Sequence, residues 1–321
     1  MKCCIMKALV TGGAGCIGSD LCSRLLEEGY GVVAIDNLNS GKIEHVKNLE
    51  KNKKFRFIKG DILEMSDIKK TMKGIDIVFH LAANSDVKYK DGDPTDEDLR
   101  LNTIAIYNVL ECMRINNVKK IVFTSSSVVY GEAEKMPTDE DYPLRPISLY
   151  AASKVSCEAL ISGFCNMFGM QSWIFRFANI VGGKTRKIGK TVLSDFIEKL
   201  SANHKELEIL GDGKQCKSYL LVNDCIEGML IAIKKSNEKI NIFNLGPEDF
   251  VTVDEIGKIV IDEMGLKNVK FKYSGGDRGW KGDVPRFLLD ITKIRKLGWK
   301  PRYTSKEAIR IATRSLLDKG G

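Results

Sequence analysis

The chain has 321 residues, 43% of them hydrophobic and 29% charged, with only 7 prolines and no biased tract, which excludes a disordered, collagen-like or low-complexity protein. Its length exceeds the ~100–200 residues usual for one domain, so two domains, or one large α/β domain with a smaller appendage, are expected. The net charge of +8, from 50 Lys+Arg against 42 Asp+Glu, is a scattered lysine surplus, at 51–54 and 184–187 for example. It lacks the basic stripe interleaved with aromatics of a nucleic-acid binder and suits an anionic small molecule.

The opening apolar run is short and broken by Lys7, unlike a signal peptide, and no later stretch approaches the ~18 uncharged apolar residues of a membrane span. A cytoplasmic protein with neither membrane nor nucleic-acid partner is therefore expected. The 9 cysteines, from Cys3 and Cys4 to Cys225, are odd in number, form no CxxC pair and mostly sit in apolar-periodic segments. They read as reduced core residues. His45, His80 and His204 show no HxH or HxxxH spacing, so no metal site is expected.

Along the chain, β-branched runs at 4–10, 31–35, 55–58, 75–80, 118–124 and 172–177 read as strands. They alternate with helical patterns near 18–28, 66–73, 96–115 and 148–168. That repetition implies a parallel sheet with helices on both faces. After residue 180 the pattern becomes irregular, with a helix near 191–202, a strand near 207–210 and a last helix near 305–317. Residues 1–180 are expected to form a dinucleotide-binding domain of Rossmann type, and 181–321 mainly a smaller α/β substrate domain. The segment 96–115 is apolar around nearly its whole circumference, so it is expected to be buried on two sides.

The first strand runs into Thr11-Gly12-Gly13-Ala14-Gly15-Cys16-Ile17-Gly18 and a helix follows. Gly12, Gly15 and Gly18 provide a tight turn, a close backbone approach to a pyrophosphate and close helix–strand packing, with the phosphates on the helix N-terminus. The second strand ends in Asp36, whose carboxylate can accept both ribose hydroxyls and repels a 2′-phosphate; no Arg or Lys follows before Lys42. NAD is expected rather than NADP. Asp61, in Gly60-Asp61-Ile62 after the third strand, is in place to meet an adenine amino group or to cap a helix. At the end of the fourth strand, His80-Leu81-Ala82-Ala83 offers small side chains over which a dinucleotide can lie.

The fifth strand leads into Ser125-Ser126-Ser127-Val128-Val129-Tyr130-Gly131, and Tyr150-Ala151-Ala152-Ser153-Lys154 opens the long helix beyond it. The Tyr-x-x-x-Lys spacing puts both side chains on one helix face. A lysine ammonium near the phenol is expected to lower its pKa from ~10, making Tyr150 a base, with Ser126 bonding the same substrate oxygen. The pattern describes proton abstraction beside a hydride acceptor.

These motifs, with Arg176-Phe177-Ala178-Asn179 and the GDGKQ run at 211–215, resemble over almost the whole chain the extended short-chain dehydrogenases/reductases, and within them the nucleotide-sugar epimerases. The resemblance implies Ser126, Tyr150 and Lys154 as the catalytic residues. It extends the cofactor contacts to Cys16, Ile17, Asn37, Ile62, Leu81, Ala82, Ala83, Asn102 and to Tyr150 and Lys154 themselves. Toward the substrate it implies Ser126, Phe177 and Asn179. Related dehydratases carry Asp-Glu where this chain has Ser127-Val128, and water loss needs that acid and base. The implied activity is therefore epimerisation at C4 of a UDP-hexose, either UDP-glucose/UDP-galactose or the N-acetylated UDP-GlcNAc/UDP-GalNAc pair, by a homodimer. A reductase or dehydratase of the same family is the alternative. A non-catalytic dinucleotide sensor is more remote, because such relatives tend to lose the Tyr or the Lys.

The sequence departs from the family at three places. Asn102-Thr103-Ile104-Ala105 lacks the family's glycine. Lys217 stands where relatives place an arginine, giving a point charge without the bidentate fork. The usual Arg-Pro-Gly-Asp segment becomes Arg278-Gly279-Trp280-Lys281-Gly282-Asp283, leaving Arg278 or Lys281 as the phosphate partner. Phe287 matches a position that is bulky in epimerases preferring unacetylated hexoses, and is expected to narrow the pocket unless it is core.

Overall fold

The computed structural model describes residues 5–84, 92–183 and 191–318; Cys3, Cys4 and the lysine-rich 184–187 lie outside them. The six expected strands are present as β1 (Lys7–Thr11), β2 (Gly31–Asp36), β3 (Phe55–Lys59), β4 (Ile77–His80), β5 (Lys120–Ser126) and β6 (Gln171–Phe177). Between them run α1 (Cys16–Glu27), α2 (Met65–Met72), α3 (Ala105–Ile115) and α4 (Leu149–Phe168). β7 (Asn179–Val181) and α5 (Val192–Ala202) begin a second lobe, continued by β8 (Glu206–Ile209), β9 (Cys216–Lys217) and β10 (Tyr219–Leu221). The chain then returns through α6 (Val222–Lys235) and β11 (Ile240–Leu245), and finishes with β12 (Val251–Thr252), α7 (Val253–Glu263), β13 (Lys270–Tyr273), α8 (Thr292–Arg295) and α9 (Ser305–Leu317).

The main sheet has the order β11-β6-β5-β4-β1-β2-β3, and every pairing is parallel. Strands of this kind are covered on both faces, which is why IVFH of β4 is buried at every position. One face packs on α1 and α6 through Leu21, Leu25, Ile226 and Met229. The other packs on α2, α3 and α4 through Ile68, Leu110, Ile161 and Phe164. A separate core of Leu193, Phe196, Leu207, Ile256 and Ile309 fills the second lobe. The order reverses between β1 and β4, the crevice where ligands of such sheets bind.

β11 falls in a stretch whose pattern does not read as a strand, because INIFNL carries two asparagines. Both are buried and satisfied. Asn241 Nδ2 donates to Ser172 O (2.9 Å) and Glu238 O (2.7 Å), and Asn244 Nδ2 donates to Thr138 O and Asp290 O (3.0 Å each). β5 reaches beyond its expected end to Ser126, since Thr124, Ser125 and Ser126 still pair with Phe175, Arg176 and Phe177. The expected helix at 96–115 is a π-turn, Leu99–Ile104, that leads into α3.

Candidate active site

At the carboxyl edge of the sheet, β1 turns into α1 through Gly12 at φ +69°, where a Cβ would lie 2.8 Å from Ala82 N. A Cβ on Gly18 would lie 2.1 Å from Gly12 O. Glycine is thus required at both ends of the turn. α1 follows Gly15 at its N-cap, with no side-chain cap and no acid in its first turn, leaving its N-terminal N–H groups and dipole for an anion. Cys16 and Ile17 form that first turn.

Beside it, the Asp36 carboxylate accepts from Ala14 N (3.0 Å) and Leu38 N (2.8 Å), which aims it along the turn. Asn37 Nδ2 donates to Asp61 Oδ2 (3.1 Å), and Asp61 Oδ1 accepts from Leu63 N (2.9 Å), so the ends of β2 and β3 are linked. The Ile62 carbonyl accepts from Asn108 Nδ2 (3.2 Å). Thr11 Oγ1 accepts from Leu81 N (3.2 Å) and Ala82 N (3.3 Å), so its proton goes to His80 Nδ1 at 2.9 Å. Leu81, Ala82 and Ala83 thereby lie across the crevice. These residues fit a dinucleotide: an uncapped helix end for its phosphates, a held carboxylate for a ribose, and a floor of small side chains.

His80 accepts that bond as a neutral imidazole, and complete burial pushes its pKa down to about 3. The unfolded chain takes up this proton near pH ~6.5, so His80 favours folding above that pH and its contribution is lost as pH falls toward 3. The thermal midpoint is expected to fall more steeply over this window in the parent than in His80→Gln; equal slopes would remove His80 from the acid response.

Asn102 is buried in the π-turn. Its Oδ1 accepts from Asn84 N (2.8 Å), and its Nδ2 donates to Ser153 Oγ (2.8 Å) and Asp98 Oδ1 (3.2 Å). It joins the end of β4 to α4. On the next helix, Ser148 caps α4 by accepting from Ala151 N (3.1 Å), which places Tyr150 in the first turn and Lys154 one turn on. Lys154 Nζ donates to Thr124 O (3.0 Å) and lies 5.6 Å from the centre of the Tyr150 ring. Burial lowers the Lys154 pKa. It raises that of the Tyr150 phenol, and the Asp98 carboxylate adds to the rise. This is opposite to the direction expected from the Tyr-x-x-x-Lys spacing, because the phenol is buried and faces the Asp98 carboxylate.

A cavity of about 710 Å³ lies between the sheet edge and the second lobe. Ser125, Ser126, Tyr150, Phe177 and Asn179 line it from the sheet side, and Ser40 connects it to the Asp36 loop. Gln215, Lys217, Tyr219, Trp280 and Phe287 line the opposite wall. Ser126, Tyr150, Phe177, Asn179, Lys217 and Phe287 are thus brought together. Lys217 is paired with buried Asp283 at 2.5 Å and lies 4.6 Å from the Trp280 ring centre. Arg278 bonds Glu132 (3.1 Å) and Asp277 (3.2 Å) and does not line this wall. Sequence reasoning did not assign Gln215 or Trp280, although both stand in segments that it singled out. Gln215 Nε2 donates to Leu210 O (3.0 Å), and its Oε1 is buried without a partner. Among the described residues no group of three or more His, Cys, Asp or Glu side chains converges as a metal site would, and no helix is long and apolar enough to cross a membrane.

A parallel sheet with a glycine turn, an aspartate ending the second strand and a Tyr/Lys pair over one cleft defines a nicotinamide-dependent enzyme. Residues 8–246 match the NAD dependent epimerase/dehydratase family, and the chain belongs to it. A UDP-glucose 4-epimerase of Mycolicibacterium smegmatis is 33% identical over 309 residues, which cover 95% of this chain and 96% of that relative. The crystal structure of a UDP-galactose 4-epimerase is 38% identical with a TM-score of 0.86, covering 98% of this chain and 99% of that one. That of the UDP-glucose 4-epimerase of Thermotoga maritima, with UDP-glucose, is 31% identical with a TM-score of 0.87, covering 98% and 100%.

Proposed function

We propose that the protein is a UDP-hexose 4-epimerase. The observation that carries this reading is the one cavity that Ser126, Tyr150 and Asn179 line from the sheet side opposite Lys217, and that reaches Ser40 of the loop after Asp36. Ser127 is buried and Val128 stands beside it, so the acid and base of a dehydratase are missing from this strand end. Bound NAD would supply hydride acceptance and return at C4, and its positive charge would oppose the effect of burial on the phenol. Gly12, Gly15 and Gly18 with the α1 N-terminus would hold its phosphates, and Asp36 its ribose.

In the forward half-reaction Tyr150 Oη takes the proton of the sugar 4-hydroxyl, and Ser126 Oγ donates to the same oxygen as it becomes a carbonyl. Lys154, fixed on Thr124 O, holds positive charge near the phenol. The 4-keto sugar then turns, so the protein must hold the UDP part while the sugar moves. Asn179 and Lys217 are the residues for the diphosphate. Lys217 can serve only by sharing its ammonium with Asp283. Residues 1–180 serve NAD and 181–321 mainly the substrate, with α6 and β11 returning to the main sheet. The purified protein is expected to interconvert UDP-glucose and UDP-galactose without net consumption of NAD(P)H. Stoichiometric consumption, or a dehydrated product, would replace this reading with the reductase or the dehydratase.

Phe287 is packed in the main core and also lines the cavity, which supports a ring that limits the space at the sugar 2-position. Phe287→Ser is expected to shift the ratio of kcat/KM toward N-acetylated substrates by roughly 10–200-fold. An unchanged ratio in competition assays would return Phe287 to the core.

A cytoplasmic homodimer completes the proposal. Ile104 of the π-turn, Tyr107 of α3 and Leu149 and Met167 of α4 are exposed, Met167 by 76%, and Ala159 and Gly163 leave room for close approach. Light scattering is expected to give about twice the 35.8 kDa of one chain; a monomeric mass would assign both helices to the sheet alone.

A further inference from the structure

We propose that the buried Glu158–Arg176 pair is a positioning device that sets Ser126 against Tyr150; this rests on the 4-epimerase reading. Glu158 lies one turn beyond Lys154 on the same face of α4, and its side chain and that of Arg176 are only 6% and 4% exposed. The pair is bidentate, with Arg176 Nε to Oε1 at 3.1 Å and Nη2 to Oε2 at 2.8 Å. Ser125 Oγ donates to the same carboxylate at 2.6 Å. Arg176 Nη1 donates to Tyr130 Oη (2.9 Å) and Glu140 O (2.8 Å), and Tyr130 Oη donates to Asn244 Oδ1 (2.7 Å).

One ion pair thus joins α4, the end of β5, the end of β6, the turn Ser127–Tyr130 and β11. The join sits beside the reacting groups. Thr124 is held by Lys154 and Ser125 by Glu158, so successive residues of β5 are tied to successive turns of α4, immediately before Ser126. A slide of α4 along β5 would move Tyr150 past Ser126, and a shift of β6 would carry Asn179 with it. Neither Glu158 nor Arg176 lines the cavity, so each acts through the residues it holds. Stability alone does not account for the pair, because an apolar pair of similar volume commonly does as well or better than a buried ion pair. Small misplacements of reacting groups, by contrast, cost rate steeply.

The test is the double variant Glu158→Leu/Arg176→Met, compared with the parent by thermal midpoint, co-purifying NAD, and kcat and KM for UDP-galactose. The expected result is a protein that still unfolds cooperatively, with full NAD content and an unchanged KM, and with kcat reduced roughly 10–100-fold. Arg176→Lys, which keeps the charge but not the fork, is expected to fall between the two. A folded double variant with the parent's kcat overturns the proposal and leaves the 4-epimerase reading intact. A parent without 4-epimerase activity overturns both. Should the double variant not fold, Arg176→Lys decides, since it breaks the fork to Glu158 and leaves the cavity lining untouched. A kcat lowered at least ~5-fold at unchanged KM supports the proposal, and the parent's kcat overturns it.

Discussion

Tyr150→Phe is expected to lower kcat by ~10²–10⁴ while NAD remains bound. The substitution removes one oxygen and keeps the ring in the first turn of α4, where Ser148 still caps the helix and Lys154 still holds Thr124 O. Only the group that takes the proton from the 4-hydroxyl is lost, so KM should change far less than kcat. Because burial and Asp98 push the phenol up, the active phenolate is scarce at low pH and the parent's kcat is expected to rise with pH. In the variant this acid limb should vanish together with the rate. Turnover close to the parent's would remove Tyr150 from the mechanism.

The second large effect is expected from Gly18→Ala. Its Cβ would stand 2.1 Å from Gly12 O, 2.9 Å from Gly12 C and 3.0 Å from Gly13 Cα, all backbone atoms of the turn itself. No side chain can move aside to relieve this, so α1 must back away from β1 or the turn must open. Forced overpacking costs ~1–3 kcal/mol or more, and here it falls on the N–H groups that would bind the phosphates, so NAD affinity should drop by roughly 5–150-fold. Dinucleotide released on denaturation should fall below one per chain, and activity should return in part with added NAD. Parent-like NAD content in this variant would mean that the phosphates do not rest on this turn.

The parts of this account legible in the sequence are those written in contiguous residues. Six strands of the main sheet stand out because a parallel strand buried on both faces is a short β-branched run; β11 does not, because Asn241 and Asn244 interrupt the pattern while satisfying distant carbonyls. Gly12, Gly15, Gly18, Asp36, Tyr150 and Lys154 lie within local motifs whose spacing carries the geometry. What the sequence leaves hidden is pairing across long separations. Lys217 meets Asp283, Arg278 meets Glu132, and Glu158 meets Arg176, and each pairing changes what the charged residue is free to do. The direction of the Tyr150 pKa belongs to the same class, since it follows from how deeply the cleft buries the phenol and from Asp98, neither visible in Tyr-x-x-x-Lys spacing.

Whether one hydrogen leaves C4 and comes back to the opposite face within a single site is read out with UDP-galactose deuterated at C4. The purified protein, with no dinucleotide added, is incubated with this substrate in ordinary water and the UDP-glucose formed is analysed by mass spectrometry and NMR. The 4-epimerase mechanism requires full retention of deuterium at C4. Loss of the label to solvent would show that the hydrogen leaves as a proton, and would contradict it.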